Sequence, residues 1–251
     1  MSMRPWLIDM AQTASGRGRV GGKAAALGEL AAAGFAVPPG FVVAGEGLID
    51  PALESVLAAA AEERGGGRFA VRSSSAAEDL PDASYAGLYE TFLNVEVDAL
   101  ADAVRRCFAA ADAERVRAYR ERRLPGDGAA DMAVLVQVMV DAVAAGVAFT
   151  AHPVTGARNQ IVITAVAGLG EALVSGERTG EEWTVAAGRR PMRTRGTSGG
   201  QGVLDVDRAG EVGDLAARVA AFYGRPQDIE WAIDRAGRLW LLQARPMTAL
   251  A

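Results

Sequence analysis

At 251 residues, half of them hydrophobic and 23% charged, the chain is long enough for one large domain or two subdomains with a substantial core. A net charge of -5 argues against a general nucleic-acid binder. No apolar run approaches the roughly 18 residues of a membrane span, no basic-then-apolar leader opens the chain, and the single cysteine, Cys107, excludes an intramolecular disulfide, so the expectation is a soluble, cytoplasmic protein.

Trp6-Leu7-Ile8 reads as a first strand, and Thr13 to Arg19 as a polar, Gly-rich loop. The loop leads into Gly21-Gly22-Lys23 and an Ala/Leu-rich helix from about Ala24 to a terminating Gly34. Lys23 is the only lysine among 26 basic residues. A sequence that uses arginine everywhere else keeps one compact ammonium beside two glycines and a helix start, which suits phosphate. An ordinary surface lysine beside a tight turn is the alternative. Val37 to Val43 is extended around a Pro-Pro-Gly corner. Asp50 and Pro51 open a second helix that runs to about Arg64 and stops at Gly65-Gly66-Gly67.

Arg68 to Arg72 reads as a strand that delivers Arg72 to a long loop beginning Ser73-Ser74-Ser75 and reaching Gly87 and Thr91. Arginine, hydroxyls and glycine N–H groups together suit phosphate oxygens, although a solvated serine-rich loop would look the same by composition. Asp98 to about Arg123 is a helix with an arginine-rich end, and Cys107 on it reads as a small buried hydrophobe. Met132 to Val140 is an apolar strand interrupted by Gln137, whose amide needs either a core partner or a bound base.

From Asp141 onward the pattern is strands and turns. Gly146–Thr150 and Gln160–Thr164 read as neighbouring strands with His152-Pro153-Val154-Thr155-Gly156 between them. Strand-like pieces follow at Trp183–Val185 and Gly202–Leu204, then a helix from Val212 to Tyr223. Gln227–Ile233 and Arg238–Arg245 form a hairpin. If Ile233 faces Arg238, then Glu230 faces Leu241 and Asp228 faces Gln243. Alternation places Asp228, Glu230, Gln243 and Arg245 on one face and Ile229, Trp231, Leu242 and Ala244 on the other. Two carboxylates and an amide oxygen suit magnesium, with Arg245 placed for a phosphate. A surface hairpin with a plain salt bridge is the alternative.

Seven stretches then carry a resemblance: GGKAAALGEL, VPPGFVV, FAVRSSSAAEDLPDASYAGLYETFLNV, VLVQVMV, GVAFTAHPVTG, GLGEALVSG and GRPQDIEWAIDRAGRLWLLQARPMT. In this order they resemble the nucleotide-binding domain of the pyruvate phosphate dikinase and phosphoenolpyruvate synthase superfamily, which includes the rifampicin phosphotransferases. The resemblance implies an α/β ATP-grasp fold, two subdomains clamping ATP, here residues 1–139 and 140–251. It implies that Lys23, Arg72 and Arg245 act on the ATP phosphates, with Ser73, Gly87 and Thr91 in the phosphate-covering segment. Gln137 and the backbone of Val138, Met139 and Val140 would form the adenine hinge, and Glu230 and Gln243, with Asp228 close by, would hold Mg2+.

Relatives phosphorylate a histidine on a separate swivelling domain, which then carries the phosphate to pyruvate or the antibiotic. This sequence ends just after Met247-Thr248, and its one histidine, His152, stands where relatives often have an acidic or amide residue. The stretch between Phe41 and Arg68 is short, and Glu177 to Glu182 replaces a usual Pro-Asp pair. The expectation is an ATP-binding subunit that phosphorylates a histidine carrier on a separate protein and releases AMP. A freestanding kinase of a small molecule and a non-catalytic nucleotide-sensing module are the alternatives. No nucleic-acid or membrane partner is expected.

Overall fold

A computed structural model describes residues 4–75, 91–111, 132–174, 176, 178–186, 190–196 and 202–248. Gly87 and the arginine-rich end expected for the third helix lie outside the described residues. Packing divides the chain into two compact α/β units, Met1–Gly34 with Pro38–Met139, and Phe35–Val37 with Val140–Ala251.

The first unit is a five-stranded antiparallel sheet of β1 (Leu7–Asp9), β2 (Gly40–Ala44), β3 (Arg68–Ser75), β4 (Thr91–Glu96) and β5 (Met132–Val138), in the order β1-β2-β5-β3-β4. Alternation sends Phe41, Val43, Phe69, Val71, Val134 and Val136 to one face. There they form one buried cluster with Leu53 and Leu57 of α2 (Leu53–Glu62) and Leu100, Val104 and Cys107 of α3 (Leu100–Ala111). Each fully buried Leu or Phe contributes about 2 kcal/mol. The other face carries α1 (Arg17–Ala32), which packs on β3 and β5.

The expected helix boundaries shift for local reasons. Asp50 opens the α2 region by accepting from Ala52 N–H at 2.9 Å, and Gly65, Gly66 and Gly67 end it with φ of 92°, 62° and 86°. The segment read as a polar loop, Thr13 to Arg19, is divided between a 3₁₀ turn, Met10–Ser15, capped by Asp9 and closed over a fully buried Thr13, and the start of α1 at Arg17, seven residues before the expected Ala24. Gly21, at φ 76° and ψ 168°, breaks α1, so Lys23 stands in the first turn after a kink.

The second unit is a six-stranded antiparallel sheet of β6 (Ala142–Phe149), β7 (Gln160–Ala167), β8 (Glu181–Ala186), β9 (Met192–Arg195), β10 (Gln227–Asp234) and β11 (Leu239–Pro246), in the order β11-β10-β6-β7-β8-β9. A one-turn α4 (Glu171–Val174) precedes β8, and α5 (Val206–Tyr223) packs over the sheet, with Gly213 seated on Val185. Helix α5 begins six residues before the expected Val212, because the Asp205 carboxylate accepts from Arg208 N–H at 2.8 Å; it ends at left-handed Gly224. Gly202–Leu204 is not the expected strand, whereas Met192–Arg195, unforeseen in the sequence, is one.

Phe35–Val37 packs with this second unit. Leu241 N–H donates to Ala36 O at 2.8 Å, and the Phe35 ring meets Phe222 edge-on at 6.1 Å. Among the described residues no helix is long and apolar enough to cross a membrane.

Candidate functional site

In the first unit, strand register brings the expected phosphate residues to one face. Arg72 pairs with Thr91 on one side and Leu135 on the other, and Ser74 follows on the same face, the one that carries α1. The Lys23 ammonium donates to the Ser73 carbonyl at 2.9 Å, and Ser74 Oγ accepts from Ala24 N–H at 3.1 Å. Lys23, Arg72 and Thr91 therefore gather where β3 meets the kink of α1. Thr91 is exposed, while Lys23 and Arg72 are half-buried. The reading of Ser73-Ser74-Ser75 as the head of a loop is corrected. Strand β3 continues through Ser75, and all three serines are at most 1% exposed, so they are core groups of a strand end.

Gln137 is also a core group. Buried at 3% exposure, it donates through Nε2 to Pro38 O at 3.1 Å and faces Met10 Sδ. Of the two uses open to it, the core hydrogen bond is the one in this structure. The backbone after it is engaged as well. Val138 N–H donates to Pro39 O at 2.9 Å and Met139 N–H to Arg68 O at 2.8 Å, while Val140 O accepts from Ala142 N–H at 2.9 Å.

In the second unit, Asp228, Glu230, Gln243 and Arg245 share one face, but in a register different from the expected one. Ile233 pairs with Leu239, one residue beyond Arg238, and a bulge at Leu242 adds a second shift. Glu230 therefore lies directly opposite Gln243, and Asp228 opposite Arg245. Leu241, fully buried, lies opposite Trp231 and takes the place expected for Leu242 on that face. Cross-strand pairs run on through the sheet, so this face continues over Val147 and Thr164. The opposite face carries Ile229, Ala148, Ile163 and Val185, the last of which meets α5.

Asp228 is 8% exposed, and its Oδ2 receives both Nε and Nη2 of Arg245 at 2.7 Å. Burial raises its carboxyl above the usual aspartate value, against the pull of Arg245 and with a further push from the Glu230 carboxylate. Directly opposed side chains sit about 5 Å apart at Cβ, so the Glu230 carboxylate and the Gln243 amide oxygen can meet on one cation. Among the described residues no three His, Cys, Asp or Glu side chains group to hold a metal. The donor set on this hairpin is thus small and made of oxygen, and it fits a magnesium ion that keeps water and phosphate oxygens as its other ligands.

Two residues that the sequence marked only as departures have definite structural roles. His152 Nδ1 accepts from Val154 N–H and Thr155 N–H, both at 3.2 Å, closing the turn as an Asn or Asp would. With Nδ1 an acceptor, the ring proton of the neutral imidazole is on Nε2, and neither nitrogen offers a nucleophilic lone pair. Glu181 is fully buried in β8 and accepts from Trp183 Nε1, from Val203 N–H at 2.8 Å and from Leu204 N–H at 3.2 Å, with Arg193 at 3.5 Å. That carboxylate is why Val203 and Leu204 run to a side chain instead of joining the sheet. Glu181 lies in the stretch Glu177 to Glu182 that replaces the usual Pro-Asp pair, and a Cβ on the preceding Gly180 would lie 2.6 Å from Thr164 Cγ2.

The sequence matches the family described as pyruvate phosphate dikinase, AMP/ATP-binding domain, over residues 46–201 and 191–251. The stretch holding Lys23 precedes that match. A rifampicin phosphotransferase from Streptomyces sp is 40% identical over 233 residues, 83% of this chain and 27% of the relative. A probable phosphoenolpyruvate synthase from Pyrococcus abyssi is 38% identical over 212 residues, 72% of this chain and 26% of the relative. The chain thus spans about a quarter of the length of these relatives. Among solved structures, D-alanyl-alanine synthetase A from Vibrio cholerae aligns over 96% of this chain and 58% of that one, with 13% identity and a TM-score of 0.48. On the sequence match and the two α/β units, the chain belongs to the AMP/ATP-binding domain family of pyruvate phosphate dikinase.

Proposed function

We propose that this chain binds Mg-ATP and passes phosphate from it to a histidine that lies outside this sequence. The observation that carries the reading is the hairpin face, where Glu230 and Gln243 oppose each other beside the ion pair of buried Asp228 with exposed Arg245. In the second unit Glu230 and Gln243 would hold magnesium, and Arg245, aimed by Asp228, would meet the terminal phosphates. In the first unit Lys23 and Arg72 would take phosphate oxygens, with Thr91 beside Arg72. Bound magnesium would neutralise phosphate charge. Phosphoryl transfer asks a protein mainly for positioning and charge neutralisation, and these side chains supply both.

The acceptor follows from His152. It is the only histidine of the sequence, and its Nδ1 is committed to two backbone N–H groups. An acceptor histidine would therefore come from another protein or from further sequence beyond this stretch. The relatives' names, a phosphoenolpyruvate synthase and a rifampicin phosphotransferase, both point to small molecules, which supports a small final acceptor.

The test is to incubate the purified protein with ATP and magnesium, alone and with extract of its source cells, and to separate the nucleotides and the labelled proteins. AMP, an acid-labile phosphoprotein carrying one of the two phosphates lost, and the other released as inorganic phosphate, all formed only with extract, are the expected result. ADP or AMP formed with the small-molecule fraction alone would establish a freestanding kinase instead. ATP bound without any turnover would leave a sensing module. Lys23→Ala and Glu230→Ala are each expected to lower turnover about a hundredfold or more while keeping the fold. Wild-type rates in either variant would refute the assignment.

A further inference from the structure

Two buried hydroxyls hold opposite ends of the residue that follows Lys23. Ser74 Oγ accepts from Ala24 N–H at 3.1 Å. Thr13 Oγ1 lies 2.9 Å from Ala24 O and 2.8 Å from Met10 O and shares its proton between them. Both side chains are fully buried, at 0% exposure. Glycines clear the space for both. A Cβ on Gly28 would stand 2.0 Å from Thr13 Oγ1, and one on Gly21 would stand 2.4 Å from Ser74 Oγ and 2.2 Å from Ser74 O.

A helix start needs an acceptor for its free N–H, and Ser74 supplies one. A second hydroxyl on the carbonyl of the same residue adds nothing to that capping. It fixes the tilt of the Ala24–Ala25 peptide, while Ser74 holds the Lys23–Ala24 peptide, and the two together set the direction in which the lysine side chain leaves the backbone. The Lys23 ammonium then lands on Ser73 O, next to Arg72. We infer that Thr13 and Ser74 are positioning residues that aim Lys23 at the phosphates of a bound nucleoside triphosphate. The inference rests on the proposed ATP reading.

The test compares Mg-ATP and adenosine affinities by calorimetry for Thr13→Val, Thr13→Ser and Ser74→Ala, in the wild-type and Lys23→Ala backgrounds, with thermal melting alongside. Thr13→Val and Ser74→Ala are each expected to weaken Mg-ATP about tenfold, the scale of one lost hydrogen bond, with adenosine unchanged. Thr13→Ser is expected to restore the affinity. In the Lys23→Ala background neither substitution should cost anything more. Undiminished losses in that background, or adenosine weakening in step with ATP, would make the hydroxyls merely structural and overturn the inference. Unchanged ATP affinity in Thr13→Val, with Lys23→Ala clearly weakened, would also overturn it. Should Ser74→Ala fail to fold, the Thr13 pair decides alone. An Lys23→Ala protein that binds Mg-ATP as well as wild type would instead sink the ATP reading beneath the inference.

Discussion

His152 shows how one side chain can keep a turn while changing its chemistry. An amide or carboxylate at this position would close the loop through an oxygen; here the imidazole Nδ1 takes the N–H groups of Val154 and Thr155. His152→Asn should therefore melt with the wild type. His152→Ala should lose about 1 kcal/mol and speed amide exchange at Val154 and Thr155. Equal exchange in both variants would mean the ring does not close the turn. Asp50 gives a pH-dependent counterpart. Its carboxyl is held below the usual aspartate range, first by Ala52 N–H and then by Trp6 Nε1 and Arg4. A lowered acid stabilises the fold above its unfolded value and loses that contribution as the pH falls through the folded one. Asp50→Ala should therefore cost most in melting temperature near neutrality, and the gap to wild type should close as the pH is taken below the usual aspartate range. A gap independent of pH would show that the carboxylate charge plays no part.

At the scale of elements, the hairpin shows what a sequence can carry and what it cannot. Alternation alone grouped Asp228, Glu230, Gln243 and Arg245, and the grouping holds although the expected pairing is off by two residues. One shift arises in the turn and the other at the Leu242 bulge. A single shift would have turned the site residues to the opposite face; two restore it. The partners differ all the same, and it is the actual register that sets Glu230 against Gln243 and Asp228 against Arg245. Bulges and turn geometry depend on packing, which no alternation pattern encodes. The same limit explains the serines. Ser73 to Ser75 look like a solvated loop by composition, yet Ala24 N–H and the kink at Gly21 give the Ser74 hydroxyl a buried role. Glu181 was legible only as a departure, because its partners Val203 and Leu204 are about twenty residues away along the chain. Helix ends were legible where Asp50 or a terminating glycine marked them, whereas the Asp205 cap was missed and with it the first six residues of α5.

For the molecule as a whole, the proposed function draws on residues of each packed unit. Lys23 and Arg72, proposed to take phosphate oxygens, lie in the first, and the Glu230–Gln243 pair with Arg245 lies in the second. Neither set suffices alone, since cations without magnesium leave phosphate charge unbalanced and two oxygen donors without phosphates make a weak magnesium site. Binding of ATP and magnesium should therefore be cooperative, each tightening the other by the same factor. Hydrogen exchange measured with Mg-ATP is expected to show added protection in both units, at the start of α1 and in β3, and along β10 and β11. Magnesium alone, or ATP with a chelator, should protect little in either. Ligand at about a hundred times its dissociation constant adds roughly 2.7 kcal/mol of stability, enough to slow exchange about a hundredfold at amides that open only on global unfolding. Glu230→Gln should abolish the magnesium-dependent part in the first unit too, although the substitution lies in the second. Protection confined to one unit would mean that the nucleotide is held by that unit alone, and the division of labour between Lys23 and Glu230 would fall with it.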